Sequence, residues 1–153
     1  MAVYYLDTTT LVKRYAQETG TEWVIALADA AAQDLYTVRV AGPEMIAALF
    51  RKARTKEAPL EEAKRAADNF REDWLAQYLI LEVSASVTSL AMDLAEKHAL
   101  RGYDSVHLAA ALLLQKIRDA MDLPALTFIS ADDHQRQAAA AEGLLVDDPN
   151  EHS

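Results

Sequence analysis

The chain contains no cysteine, which excludes disulfides, thiolate metal sites and cysteine nucleophiles and leaves the redox environment open. Glycine and proline are scarce, four of each in 153 residues, so a mostly helical chain punctuated by short apolar strands is expected. No stretch approaches the roughly 18 apolar residues that a membrane span needs. The start lacks the basic segment and apolar run of a secretory signal. The expectation is a cytoplasmic protein with no membrane association. Basic residues are outnumbered 15 to 24, for a formal net charge of −9. That argues against a general nucleic-acid binder, because phosphate binding is driven by Lys and Arg neutralising the backbone.

What is present has the composition of a folded soluble domain, 52% apolar and 25% charged, at a length that buries a core without staples. One domain is expected over 1–148, with the tail PNEHS at 149–153 disordered. The charge is unevenly spread. From Arg39 to Arg71 there are eight basic and five acidic residues, net +3, so the remainder carries −12. A solvated helical face explains this window more simply than a binding patch does.

Apolar and polar residues alternate in a regular order. Strands are predicted at 3–6, 35–40, 80–83, 126–129 and 143–146. Helices are predicted at 8–16, 21–32, 44–55, 59–79, 86–98, 103–117 and 131–142, with Pro43 and Pro59 as openers and a hinge at Gly102. Strands separated by helices imply a parallel sheet covered on both faces, since parallel strands need a crossover between them.

Four acids fall at helix starts: Asp7 after the first strand, Glu44 after the second, Asp132 after LTFI, and Asp104 beside Gly102. Each has a structural explanation, because acids cap helices and complement the helix dipole. Ser130 and Asp133 fit a capping box, which gives Asp133 a structural role and leaves Asp132 free. In an open parallel sheet, however, the strand C-termini share one edge, where ligands bind. Asp7, Glu44 and Asp132 should therefore approach one another; this geometry does not reach Asp104. Carboxylates so gathered must take up a proton or bind a cation. Oxygen-only ligation suits Mg²⁺ or Mn²⁺. Such an ion would attract a phosphate and acidify water.

Four stretches, YYLDTTTLVKRY (4–15), GPEMIAALFRKA (42–53), RGYDSVHLAAAL (101–112) and TFISADDHQRQAAAAEGL (127–144), resemble the PIN-domain family, and within it the VapC-type toxins of toxin–antitoxin pairs. They stand in the family's order and span the chain. The resemblance implies a three-layer α/β/α sandwich with a central parallel sheet and a metal-dependent endoribonuclease, the toxin of a type II pair. It places the site acids at Asp7, Glu44, Asp104 and Asp132, with Asp133 competing for the fourth place, and it is what supplies Asp104. It implies that Thr9 hydrogen-bonds a carboxylate or a water on the metal. It also implies an RNA substrate, a cognate antitoxin seated in a groove formed by the first four helices, and a homodimer.

The basic residues nearest in sequence to the site acids, Lys13, Arg14, Arg51, Lys52 and Arg54, are the candidates for guiding RNA. His107, in the apolar run VHLAAALLL, reads as a core residue with a satisfied ring more readily than as a ligand or base. His98 is expected to cap a helix C-terminus and His134 to lie at the surface. Trp23, Phe70 and Trp74 read as core or interface aromatics. Two rival readings stand beside the nuclease. One is a catalytically silent PIN-like interaction domain whose acids persist as caps. The other is a receiver-type phosphoacceptor domain, which normally has an acidic pair after its first strand and an aspartate after its third.

Overall fold

The structure is a computed structural model that describes residues 1–152. Its elements run β1 (Ala2–Leu6), α1 (Thr8–Tyr15), α2 (Thr21–Asp29), β2 (Gln33–Val38), α3 (Ala41–Arg54), α4 (Leu60–Ala76), β3 (Leu79–Leu81), α5 (Ala85–His98), α6 (Gly102–Ala120), β4 (Thr127–Ile129), α7 (Asp133–Ala141) and β5 (Leu145–Asp147), ending in a 3₁₀ turn, Pro149–His152. All strand pairings are parallel, in the order β3-β2-β1-β4-β5. β3 is thus an edge strand, two places from β1. A receiver domain has the order 2-1-3-4-5, with its third strand beside the first, so the topology removes that rival.

Side chains alternate across a strand, and β1 feeds both faces of the sheet. Val3 and Tyr5 join Phe128 and the apolar faces of α5, α6 and α7 in one core. Leu6 joins Ile129 and the packed faces of α1 to α4 in the other. This is a three-layer α/β/α sandwich.

Several boundaries differ from the sequence expectation for local reasons. α2 stops at Asp29 because Ala30 turns extended, at φ −65° and ψ 143°, and Gln77 Nε2 donates to the carbonyl of Ala28 at 2.6 Å, closing the helix end. α3 starts at Ala41, before Pro43, whose missing N–H still falls within the unpaired first turn. Gly42 sits there without strain, and a Cβ on it would meet the Trp74 ring at 3.4 Å. The break between α5 and α6 is made by Ala99, at φ 53°, and not by Gly102, which serves as an ordinary first helical residue.

Three further expectations are corrected. Residues 149–152 are ordered, because Pro149 is buried and His152 stacks on Trp23 with ring centroids 4.1 Å apart; Ser153 lies outside the described residues. The C-terminus of α5 is met by the exposed His134, whose Nε2 lies 2.7 Å from the carbonyl of His98, while the His98 ring turns to Glu142 at 2.7 Å. The N-cap of α7 is Asp132, whose Oδ1 accepts from the backbone N of Gln135 at 3.0 Å. Ser130 instead accepts from the N of Asp132 at 3.1 Å, so the Ser130–Asp133 capping box does not form and Asp132 is not free.

Candidate metal and RNA site

The C-terminal ends of β1 and β4 are stitched together. Asp7 N donates to the Ile129 carbonyl at 3.3 Å, Thr10 Oγ1 donates to the same carbonyl at 2.9 Å, and Thr9 Oγ1 accepts from Ala131 N at 2.9 Å. Beside this seam opens a cleft of about 980 Å³ whose lining includes Asp7, Glu44 and Asp104. The seam lies next to β1, where connections leave to opposite sides of the sheet, the place where open α/β folds bind ligands.

Asp7 does two jobs. It is the N-cap of α1, accepting from Thr10 N at 3.2 Å, and it takes a 2.6 Å hydrogen bond from Thr9 Oγ1. Burial raises its carboxyl above the ordinary aspartate range, opposed by the neighbouring His107 ring and by hydrogen bonds from Ser130, Thr9 and Thr10. Glu44, in the first turn of α3, receives Thr8 Oγ1 at 2.9 Å and faces His107 Nε2 at 2.7 Å, both on Oε1. Asp104, in the first turn of α6, faces Arg101 Nε at 3.0 Å. The carbonyl of Asp104 accepts from Gln135 Nε2 at 2.8 Å, which locks α6 to α7.

Asp132 stands outside the cleft lining and joins it through Arg101, whose guanidinium lies 3.5 Å from Asp132 Oδ2. Asp133 is exposed and paired with Arg136. Of the two adjacent aspartates it is therefore Asp132 that faces Asp104 across Arg101.

The basic residues separate by helical phase. Glu44, Ala47, Ala48 and Arg51 share one face of α3 and all line the cleft, as i, i+3, i+4, i+7 spacing requires. Lys52 is turned away and pairs with Glu18 at 2.7 Å, beside a separate pocket of about 460 Å³ between α1, α3 and α4. Lys13 is buried against the same Glu18 at 3.2 Å. Arg14 is held by Tyr78 at 2.9 Å and Asp73 at 3.5 Å. Lys13, Arg14 and Lys52 are therefore held in ion pairs away from the cleft, the first two because α1 leaves it as it runs on from Asp7 and the third because it lies off the cleft-facing side of α3. Arg54 is exposed but lies outside the cleft lining.

Sequence reasoning missed Arg101 and Thr8, and set His107 aside as core. Arg101 is 80% exposed at its side chain, lines the cleft and reaches two site acids. The signal was its i, i+3 spacing to Asp104.

Among the described residues, no three acidic or imidazole side chains already converge to hold an ion. The donor chemistry nevertheless fits a hard divalent cation: three carboxylates open onto one cleft with threonine hydroxyls beside them, and burial opposes the charge on Asp7 in a way that a cation would relieve.

No family model matches the chain. Two curated relatives from Mycobacterium tuberculosis, Ribonuclease VapC45 of strain CDC 1551 / Oshkosh and Ribonuclease VapC49 of strain ATCC 25618 / H37Rv, are each 38% identical over 112 residues, 73% of this chain and 76% of the relative. Among solved structures, the fold is similar to that of VapBC2 from Rickettsia felis, at TM-score 0.60 and 15% identity over 95% of this chain and 98% of that one. It is also similar to FitAcB from Neisseria gonorrhoeae, at TM-score 0.61 and 15% identity over 96% and 97% of the two chains. With a parallel α/β/α sandwich and relatives at this identity and coverage, the chain belongs to the VapC ribonuclease family of PIN-domain proteins.

Proposed function

We propose that this chain is a Mg²⁺- or Mn²⁺-dependent endoribonuclease and the toxin of a type II toxin–antitoxin pair, acting in the cytoplasm. The observation that carries the reading is the opening of Asp7, Glu44 and Asp104 onto one cleft at the carboxyl edge of the sheet, in a chain whose relatives are named ribonucleases. Asp7, Glu44 and Asp104 hold the cation, and Asp132 completes the acidic rim. A divalent ion held there supplies Lewis acidity toward a phosphoryl oxygen and makes a water nucleophilic near neutral pH.

The chain's own residues do the rest. Arg51 and Arg101, the two arginines of the cleft, receive the RNA phosphates on either side of the scissile bond. Thr9 and the α1 amide of Thr10 hold Asp7 in place. With a net charge of −9 on the chain, RNA binding is weak and salt-sensitive. Structures similar to this one are of VapBC2 and FitAcB, which supports a cognate antitoxin as the partner, with the chain itself a homodimer.

The competing reading is a silent PIN-like module whose acids serve only as caps, as Asp7 and Asp132 do. Calorimetric titration with Mn²⁺ separates the two. The nuclease reading expects wild-type binding that Asp104→Asn weakens at least tenfold; absence of binding in the wild type favours the silent module.

A further inference from the structure

One pair of buried polar residues is not accounted for by capping or by the acids themselves. His107 is 1% exposed and Tyr5 is fully buried, in a layer otherwise filled by Leu108, Ala109, Ala110, Ala111 and Phe128. Their ends are joined: the Tyr5 hydroxyl lies 2.9 Å from His107 Nδ1, and His107 Nε2 lies 2.7 Å from Glu44 Oε1. The path runs from β1 through α6 to α3 and reaches the cleft from beneath.

Hydrogen-bond roles along this path follow from the carboxylate. A carboxylate only accepts, so Nε2 carries a proton; in the neutral ring Nδ1 then accepts, and the Tyr5 hydroxyl donates to it. Burial, followed by the nearby charge of Asp7, pushes the phenol well above its usual range, so the O–H donor is retained. The phenol is also fixed in direction, stacked on Phe128 at 5.3 Å and edge-on to His107 at 5.8 Å.

The consequence falls on Glu44. Its Oε1 receives both Thr8 Oγ1 and His107 Nε2, while Oε2 has no hydrogen bond among the described residues. We propose that His107, oriented by Tyr5, is a positioning residue that pins Glu44 through Oε1 and presents Oε2 to the cation in the cleft. This rests on the ribonuclease reading above. Outer partners of this kind hold a ligating side chain in one orientation, and their loss typically lowers metal affinity about 10–100-fold. A histidine serving only as core filler would be replaced by leucine without effect on the metal.

The test uses the full chain. Long-range ¹⁵N NMR of the metal-free protein is expected to show His107 with a proton on Nε2, and Tyr5→Phe, which removes the donor to Nδ1, is expected to keep that proton, held by Glu44, while the Nδ1 resonance shifts. In Mn²⁺ calorimetry, His107→Leu should lose about 10–100-fold in affinity. His107→Gln, whose amide can donate to Glu44, should recover most of that loss. If His107→Leu does not fold by circular dichroism, Tyr5→Phe decides instead, with a several-fold weakening expected. An Nδ1–H tautomer in the wild type, wild-type affinity in His107→Leu or in Tyr5→Phe, or a His107→Gln as weak as His107→Leu would overturn the positioning role alone. Absence of Mn²⁺ binding in the wild type would overturn the ribonuclease reading and this inference with it.

Discussion

Arg101 Nε lies 3.0 Å from Asp104 Oδ2 across one turn at the start of α6, and the same guanidinium reaches Asp132 Oδ2 at 3.5 Å. The side chain is mostly exposed, so this bridge contributes little to stability; exposed ion pairs are worth about 0–1 kcal/mol. Its chemical effect is larger. It places a positive charge between two acids of the proposed metal site.

Replacing Arg101 by glutamine should therefore leave the melting temperature nearly unchanged while raising Mn²⁺ affinity several-fold, measured by calorimetry. The same variant should bind RNA more weakly, with the slope of log affinity against log salt reduced by about 1 if the guanidinium contacts one phosphate. Unchanged affinity for both ligands would remove Arg101 from the site.

Asp7 gives a pH dependence with a definite sign. Burial raises its carboxyl in the folded protein, so the native state keeps that proton longer than the unfolded chain does. The resulting stability is fully present below the unfolded value, about 4 for aspartate, and is lost as pH rises through the raised folded value. Asparagine keeps the N-cap, since it caps as well as aspartate. Metal-free Asp7→Asn should thus melt several degrees above wild type at pH 7, and the gap should close toward pH 4. Added Mn²⁺ should stabilise wild type and not the variant. A wild type that melts higher than Asp7→Asn at pH 7 without metal would contradict the burial argument.

The ordered C-terminal turn offers a separate check. Gly20 holds a φ of +87°, and a Cβ there would stand 2.3 Å from the Pro149 carbonyl oxygen. Gly20→Ala should cost about 1–3 kcal/mol, the usual range for a non-glycine residue forced into such backbone. It should also free the turn and expose Trp23, which now stacks on His152, giving a red shift in tryptophan emission. Unchanged emission and stability would mean that the turn does not depend on this approach.

The layered fold was legible because its signals are local. Val3, Tyr4, Tyr5 and Leu6 read as a buried strand, and Pro43 and Pro59 marked helix starts that the structure has within two residues. The strand ends bring Asp7 and Glu44 to one cleft but leave Asp132, expected with them, outside its lining, and the family resemblance was needed for Asp104, which follows a helix. What failed depended on tertiary facts. Ser130 and Asp132 both cap well, and the choice between them is made by where β4 ends. The turn before α6 looked like the work of Gly102, yet Ala99 makes it, and that places Arg101 at the helix entrance. Lys13 and Arg14 are near Asp7 in sequence only, because α1 carries them toward Glu18 and Asp73. His107 combined both readings: it is buried and satisfied, and its partner is Glu44.

In the proposed function the cleft acids and a divalent cation together cut RNA. Single-turnover cleavage of a structured RNA by purified, partner-free protein tests it most directly, with Mn²⁺, with excess chelator, and with Asp104→Asn in Mn²⁺. Cleavage is expected from wild type in Mn²⁺ only, with chelator and Asp104→Asn each reducing the rate at least a hundredfold. Equal cleavage in chelator, or full activity in Asp104→Asn, would contradict it.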